Sequence, residues 1–83
     1  MQLTLLYFAR LRDQLGQDQE TLTFTGHSVA ELLEQLRQRG DAWADALAVT
    51  QPFRVAVNHS VVHGPHPLAD GDEVAIFPPV TGG

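Results

Sequence analysis

The last six residues, Pro78-Pro79-Val80-Thr81-Gly82-Gly83, carry the clearest chemical signal in the sequence. The two prolines remove backbone donors and enforce an extended path, while Gly82 and Gly83 have no side chain to pack. Fully extended, the stretch reaches roughly 20 Å from whatever precedes it, enough to enter a partner's active site. The missing Cβ atoms suit the last two residues to a narrow channel, where the carboxylate of Gly83 is the only reactive group. A carboxylate is inert toward sulfide at neutral pH, so its use requires activation to a mixed anhydride such as an acyl-adenylate. That implies a partner enzyme that consumes ATP. Displacement of the adenylate by a sulfur donor then gives a thiocarboxylate, a nucleophile that carries sulfur without cysteine, and the chain has no cysteine. The plain alternative is that a terminal Gly-Gly pair is a frayed end.

Other chemistry-bearing residues read as structural. His63-Gly64-Pro65-His66 superficially resembles a ligand pair, but Gly-Pro precludes helical presentation and no cysteine or nearby third histidine completes a zinc shell. Asp70, Asp72 and Glu73 cluster as acid and base might, yet lack the spacing of a calcium loop, and Gly71 supplies a simple turn explanation. No phosphate-binding glycine loop, nucleophile elbow or histidine-centred triad signature is present.

The elements that must position the tail follow from local patterns. Leu3 to Phe8 reads as a strand covered on both faces, and Ala9 to Leu15 as a short helix stopped by Gly16. Glu20 to Phe24 alternates, with Leu22 and Phe24 inward. Ser28-Val29-Ala30-Glu31 is a capping box that opens the main helix. Val29, Leu32, Leu33 and Leu36 form its apolar stripe, with Leu33 at the buried centre, Arg37 and Arg39 at its negative end and Gly40 closing it. Asp41 is expected to cap a second short helix that carries Trp43, Ala46 and Leu47 on one side and runs until Pro52, with Trp43 as a core lid. Val55 and Val57 begin a hairpin that turns at Asn58-His59 into Ser60-Val61-Val62. Asp70-Gly71-Asp72 turns the chain into a last strand, Glu73 to Phe77, with Val74 and Ile76 inward. Strand, strand, helix and further strands make an α+β pattern, one sheet wrapped around one main helix.

Alternation turns Phe77 to the opposite face from Ile76, beside the tail. It belongs either to a docking surface or to the cover of the second short helix or the sheet's open face. Val61 and Arg12 are candidates for the same patch, with Arg12 offered to a partner carboxylate.

The bulk composition bounds the partners. Eighty-three residues, 43% hydrophobic and 18% charged, fit one core and leave little room for a deep enclosed pocket. A net charge of -5 disfavours nucleic acid and anionic membrane surfaces. The first residues lack the basic lead and long apolar run of a signal peptide, and no stretch approaches a membrane span, so a cytoplasmic protein is expected.

Three stretches carry a resemblance to a family: Leu6-Tyr7-Phe8-Ala9-Arg10-Leu11-Arg12, Val57-Asn58, and Leu68-Ala69-Asp70-Gly71-Asp72-Glu73-Val74-Ala75-Ile76-Phe77-Pro78-Pro79-Val80-Thr81-Gly82-Gly83. Over its whole length the chain resembles the small, sulfur-carrying subunits of molybdopterin synthase, within the ubiquitin-like sulfur carriers. The resemblance implies a β-grasp domain over residues 1–77 and an extended tail over 78–83. It implies that Gly83 is adenylated by an E1-like enzyme, converted to a thiocarboxylate with sulfur from a donor protein, and inserted with Gly82 into the large catalytic subunit. There two carriers in succession supply the dithiolene sulfurs to cyclic pyranopterin monophosphate, in a heterotetramer with two copies of each subunit. It implies no cofactor on this chain, ATP being used by the activating partner. A carrier for thiamine thiazole formation and a ubiquitin-like modifier are the alternatives. His59 and the His63 to Pro67 loop depart from the family's pattern, away from the tail.

Overall fold

The computed structural model describes residues 1–79. In chain order the elements are β1 (Gln2–Tyr7), α1 (Arg10–Leu15), β2 (Gln19–Thr23), α2 (Val29–Arg37), α3 (Asp41–Ala46), β3 (Arg54–Val57), β4 (Ser60–Val62) and β5 (Glu73–Phe77). They form one mixed sheet in the order β2-β1-β5-β3-β4, with β1 and β5 parallel at its centre and the other pairs antiparallel. One sheet backed by one main helix is the β-grasp arrangement.

Period-two alternation explains which residues form the core. Leu3, Leu5 and Tyr7 of β1, Val74 and Ile76 of β5, and Val55 and Val57 of β3 all point to one face and are buried there. Against them pack Leu11 of α1, Val29, Leu32 and Leu36 of α2, and Ala46 and Leu47 at the end of α3. The expectation that β1 is covered on both faces is therefore corrected. The helices lie on one side only, and Leu6 is half-exposed on the other.

The main helix starts as expected, with the Ser28 hydroxyl accepting the Glu31 amide at 3.3 Å. The reciprocal arm is displaced by one residue: the Glu31 carboxylate accepts the His27 amide at 3.0 Å rather than that of Ser28. Leu33 is not the centre of the stripe. It is half-buried at the margin, while Leu32 is fully enclosed. Gly40 does not close α2, which is capped by Gln38; it sits instead immediately before α3, where Asp41 is the first helical residue and not the cap. The second short helix ends at Ala46, well before Pro52. Arg37 donates through Nε to the Leu47 carbonyl at 2.8 Å, satisfying backbone just past the end of α3.

Arg39 leaves the helix and forms a bidentate pair with Glu20 at 2.7 and 2.9 Å, with its guanidinium 4.5 Å from the ring centre of Trp43. Trp43 meets Tyr7 edge to face at 5.6 Å, and the Tyr7 hydroxyl donates to Glu20 at 2.7 Å. Trp43 is thus half-buried and serves both as lid and as platform for a cation. Burial by itself raises the Glu20 pKa, but the hydrogen bonds from Arg39 and Tyr7 outweigh it and hold the carboxyl below its usual range. Burial, then Glu20, pushes the Tyr7 phenol up, so it stays a donor. A carboxyl depressed in the folded state stabilises the fold above its unfolded pKa, and that contribution is lost as pH falls through the folded value. Glu20→Gln is therefore expected to lower the urea midpoint at pH 7 and to shrink the further loss below about pH 4.5. Parallel pH profiles for variant and wild type would contradict the assignment.

Candidate functional site

The outer face of the sheet, away from the helices, is where the tail begins. Register places Leu6 beside Ala75, Ala75 beside Ala56, and Ala56 beside Val61, a single row across β1, β5, β3 and β4. The middle of the row is alanine and its surroundings are larger, so the face is concave. A groove of about 390 Å³ results, lined by Leu6, Phe8, Ala56, His59, Glu73, Ala75 and Phe77. Phe8 is 47% exposed although its amide is tied to the Ile76 carbonyl at 3.2 Å. An exposed aromatic on fixed backbone suits a docking surface, because the backbone needs no further ordering on contact.

Phe77 is the last residue of β5, lines this groove and directly precedes Pro78. It does not cover α3. Its cross-strand neighbour is Arg54. Pro78 and Pro79 follow at once, both half-buried. Val80, Thr81, Gly82 and Gly83, the residues assigned the chemistry, lie outside the described residues.

The other two candidates separate. Val61 is 52% exposed and shares the outer face through its pairing with Ala56, but it lies one strand beyond the groove lining. Arg12 sits on α1, exposed, with a loose contact to Asp13 at 3.7 Å, and among the described residues it does not line the groove. Phe8, Leu6, Ala56 and Ala75 were missed in the sequence. The signal for the first two was available: once Leu3, Leu5 and Tyr7 are inward, Leu6 and Phe8 must face outward.

The far end of the groove is polar and tightly held. The hairpin turn Asn58-His59 has positive φ at both residues, 50° and 74°. The Asn58 side chain donates to Asp72 at 2.9 Å and accepts the Glu73 amide at 3.0 Å, and its own amide donates to the Glu73 carbonyl at 2.8 Å. The His59 imidazole reaches Glu73 at 3.1 Å. A left-handed conformation disfavours residues with a Cβ, and glycine is preferred at the second place of this turn. His59→Gly is accordingly expected to stabilise the fold by about 0.5–1 kcal/mol, the exposed pair with Glu73 offsetting little of it. A drop in melting temperature would show that this pair matters more than the backbone.

The acidic cluster holds turns. Asp70 accepts the Gln2 amide at 2.6 Å, and Asp72 accepts the Ala69 amide at 2.9 Å. Among the described residues, no three potential metal ligands converge, and no helix is long and apolar enough to cross a membrane. His63 is exposed, and the His66 carbonyl accepts the Val29 amide at 2.8 Å.

The chain is similar to known proteins in sequence and in fold. The chain is 42% identical to the molybdopterin synthase sulfur carrier subunit of Escherichia coli K12, over 94% of this chain and 95% of that one. It is 38% identical to the subunit of the same name from Haemophilus influenzae, over 98% and 99%. Among solved structures, the Helicobacter pylori complex of subunits 1 and 2 of the molybdopterin-converting factor contains a chain with the same fold, at a TM-score of 0.70 and 21% identity, covering 100% of both. The Haloferax volcanii HVO 2177 protein matches with a TM-score of 0.78 and 30% identity, over 100% of this chain and 87% of that one. The model of the ThiS family matches residues 5–83, and the chain belongs to that family.

Proposed function

We propose that this chain is the sulfur carrier subunit of a cytoplasmic molybdopterin synthase, with the Gly83 carboxylate as its working group. The observation that supports the reading is the place where Pro78 and Pro79 leave the sheet. The Pro78-Pro79 segment leaves β5 directly from Phe77, at the end of an apolar groove, so a partner that fills the groove meets the root of the tail. The relatives' names supply the pathway.

In this reading the carboxylate oxygen of Gly83 attacks the α-phosphorus of ATP on an E1-like enzyme, and pyrophosphate leaves. A persulfide on a sulfur donor protein then attacks the acyl carbon through its outer sulfur and expels AMP, and a second thiol cleaves the resulting acyl disulfide, forming a disulfide with the donor's inner sulfur and releasing the thiocarboxylate on Gly83. The large catalytic subunit binds the groove, threads Gly82 and Gly83, and takes one sulfur from each of two successive carriers to build the dithiolene on cyclic pyranopterin monophosphate. The assembly is a heterotetramer with two copies of each subunit, and this chain binds no cofactor itself. Its charge of -5 does not suit nucleic acid or anionic membranes as partners.

Docking through the groove is tested by Phe77→Asp, which puts a charge among apolar groups at the tail's root. Affinity for the large subunit is expected to fall about 10- to 100-fold, as for a central aromatic anchor, with the unfolding midpoint changing far less. Unchanged affinity would place the interface elsewhere.

A further inference from the structure

We infer that this chain is inert toward its own activated carboxylate, because it presents that acyl group with almost no amine. The inference rests on the activation of Gly83 proposed above. An acyl-adenylate or thioester reacts with a neutral primary amine: a C–N bond forms, AMP or thiolate leaves with the bonding electron pair, and the nitrogen loses one proton. Lysine is the usual source of such amines on a protein surface. Here the five basic residues are Arg10, Arg12, Arg37, Arg39 and Arg54, and there is no lysine. Guanidinium groups stay protonated and do not take the acyl group. The cationic positions are kept, as in the Arg39 pair with Glu20 and the Arg37 contact with Leu47, and the nucleophilic amines are not.

The remaining primary amine is that of Met1, and the fold places it out of reach. Its ammonium donates to the Phe24 carbonyl at 2.8 Å, while the Phe24 amide donates back to the Met1 carbonyl at 2.8 Å. β1 and β5 run parallel with Tyr7 beside Ile76, so Met1 lies roughly 20 Å of strand behind the point where the tail departs. Pro78 to Gly83 spans at most roughly 20 Å when straight, and it would have to reverse direction first. The fixed φ of Pro78 and Pro79 makes the first two residues poor at that reversal. In cis the acyl carbon falls short. A second copy's Met1 would have to leave Phe24 and fray the start of β1. Attack by a histidine gives an acyl-imidazole that water cleaves, which only returns the free acid.

The test uses the full chain as a Gly83 thioester prepared by thiolysis of an intein fusion, incubated alone at mildly alkaline pH and followed by intact mass. Arg54→Lys serves as comparison, since it places one amine beside Phe77 at the tail's root. Wild type is expected to hydrolyse, with amide-linked dimer or cycle forming at least about 10-fold more slowly than in Arg54→Lys, where the tethered amine acts at high effective concentration. Conjugation by wild type at a similar rate, mapped to Met1, overturns the inference. An Arg54→Lys chain as unreactive as wild type also overturns it, because the absence of lysine would then protect nothing. No activating enzyme is used, so this outcome is independent of whether cells adenylate Gly83, and a failure of that activation leaves the result intact.

Discussion

Deleting Gly83, or adding one residue after it, is expected to abolish sulfur transfer and to leave the unfolding free energy within about 0.5 kcal/mol of wild type. The two halves of this expectation have separate physical grounds. Activity is expected to be lost because in the proposed mechanism the acyl carbon is the reacting atom, and a shift of one residue moves it by about 3.5 Å along the tail, more than a positioned displacement tolerates. Stability is kept because the core is made by residues from Leu3 to Ile76, and Gly83 contributes no side chain to it. Single-turnover sulfur transfer and thermal unfolding of the same preparations check both halves. A large fall in melting temperature would mean that the tail packs on the domain, and retained transfer would remove Gly83 from the chemistry.

Leu32→Ala is expected to destabilise the domain by about 2–5 kcal/mol, the usual range for removing an enclosed leucine and leaving a cavity. Leu32 is fully buried in the centre of α2, between Val29 and Leu36, where the helix faces the sheet. In a domain of this size such a loss takes much of the total stability. Leu33→Ala, at the half-buried margin, should cost distinctly less. Paired urea titrations of the two variants decide the orientation of the helix, and a larger loss for Leu33→Ala would rotate it.

The contrast between those two leucines shows where sequence reasoning stopped. The spacing of Val29, Leu32, Leu33 and Leu36 defines an apolar stripe, but which of the two middle leucines is central depends on how α2 is rotated against β1 and β5. That is a tertiary fact. Gly40 failed for a related reason, since a glycine between two adjoining helices serves equally as the stop of one or the start of the next. Arg39 reads locally as a helix-end cation, yet a carboxylate on β2 claims it. Features with strictly local causes were legible: the Ser28 cap, the Asn58-His59 turn, the Asp70-Gly71-Asp72 turn, and the alternation that sends Val74 and Ile76 inward and Phe77 outward.

The site divides in the same way. The tail is a run of neighbours in sequence, and the chemistry proposed for it rests on residue types alone. The groove is assembled by register, since Ala56 and Ala75 meet only because β3 and β5 pair. Neither alanine carries a sequence signal of its own. Phe8 was within reach, because the period of β1 turns it outward, but treating that strand as covered on both faces hid it. Arg12 was chosen for its charge, and charge without a known position says little about an interface.

Whether Gly83 carries sulfur is read from a mass spectrum of the tryptic peptide Val55 to Gly83, from chain purified out of cells able to modify it. The peptide follows Arg54 and contains no Met, Trp or Cys, so oxidation at those residues does not imitate the change. The expected result is a mass raised by the exchange of one oxygen for sulfur, localised to Gly83. Free carboxylate alone, even after incubation with ATP, an activating enzyme and a sulfur donor, would contradict it.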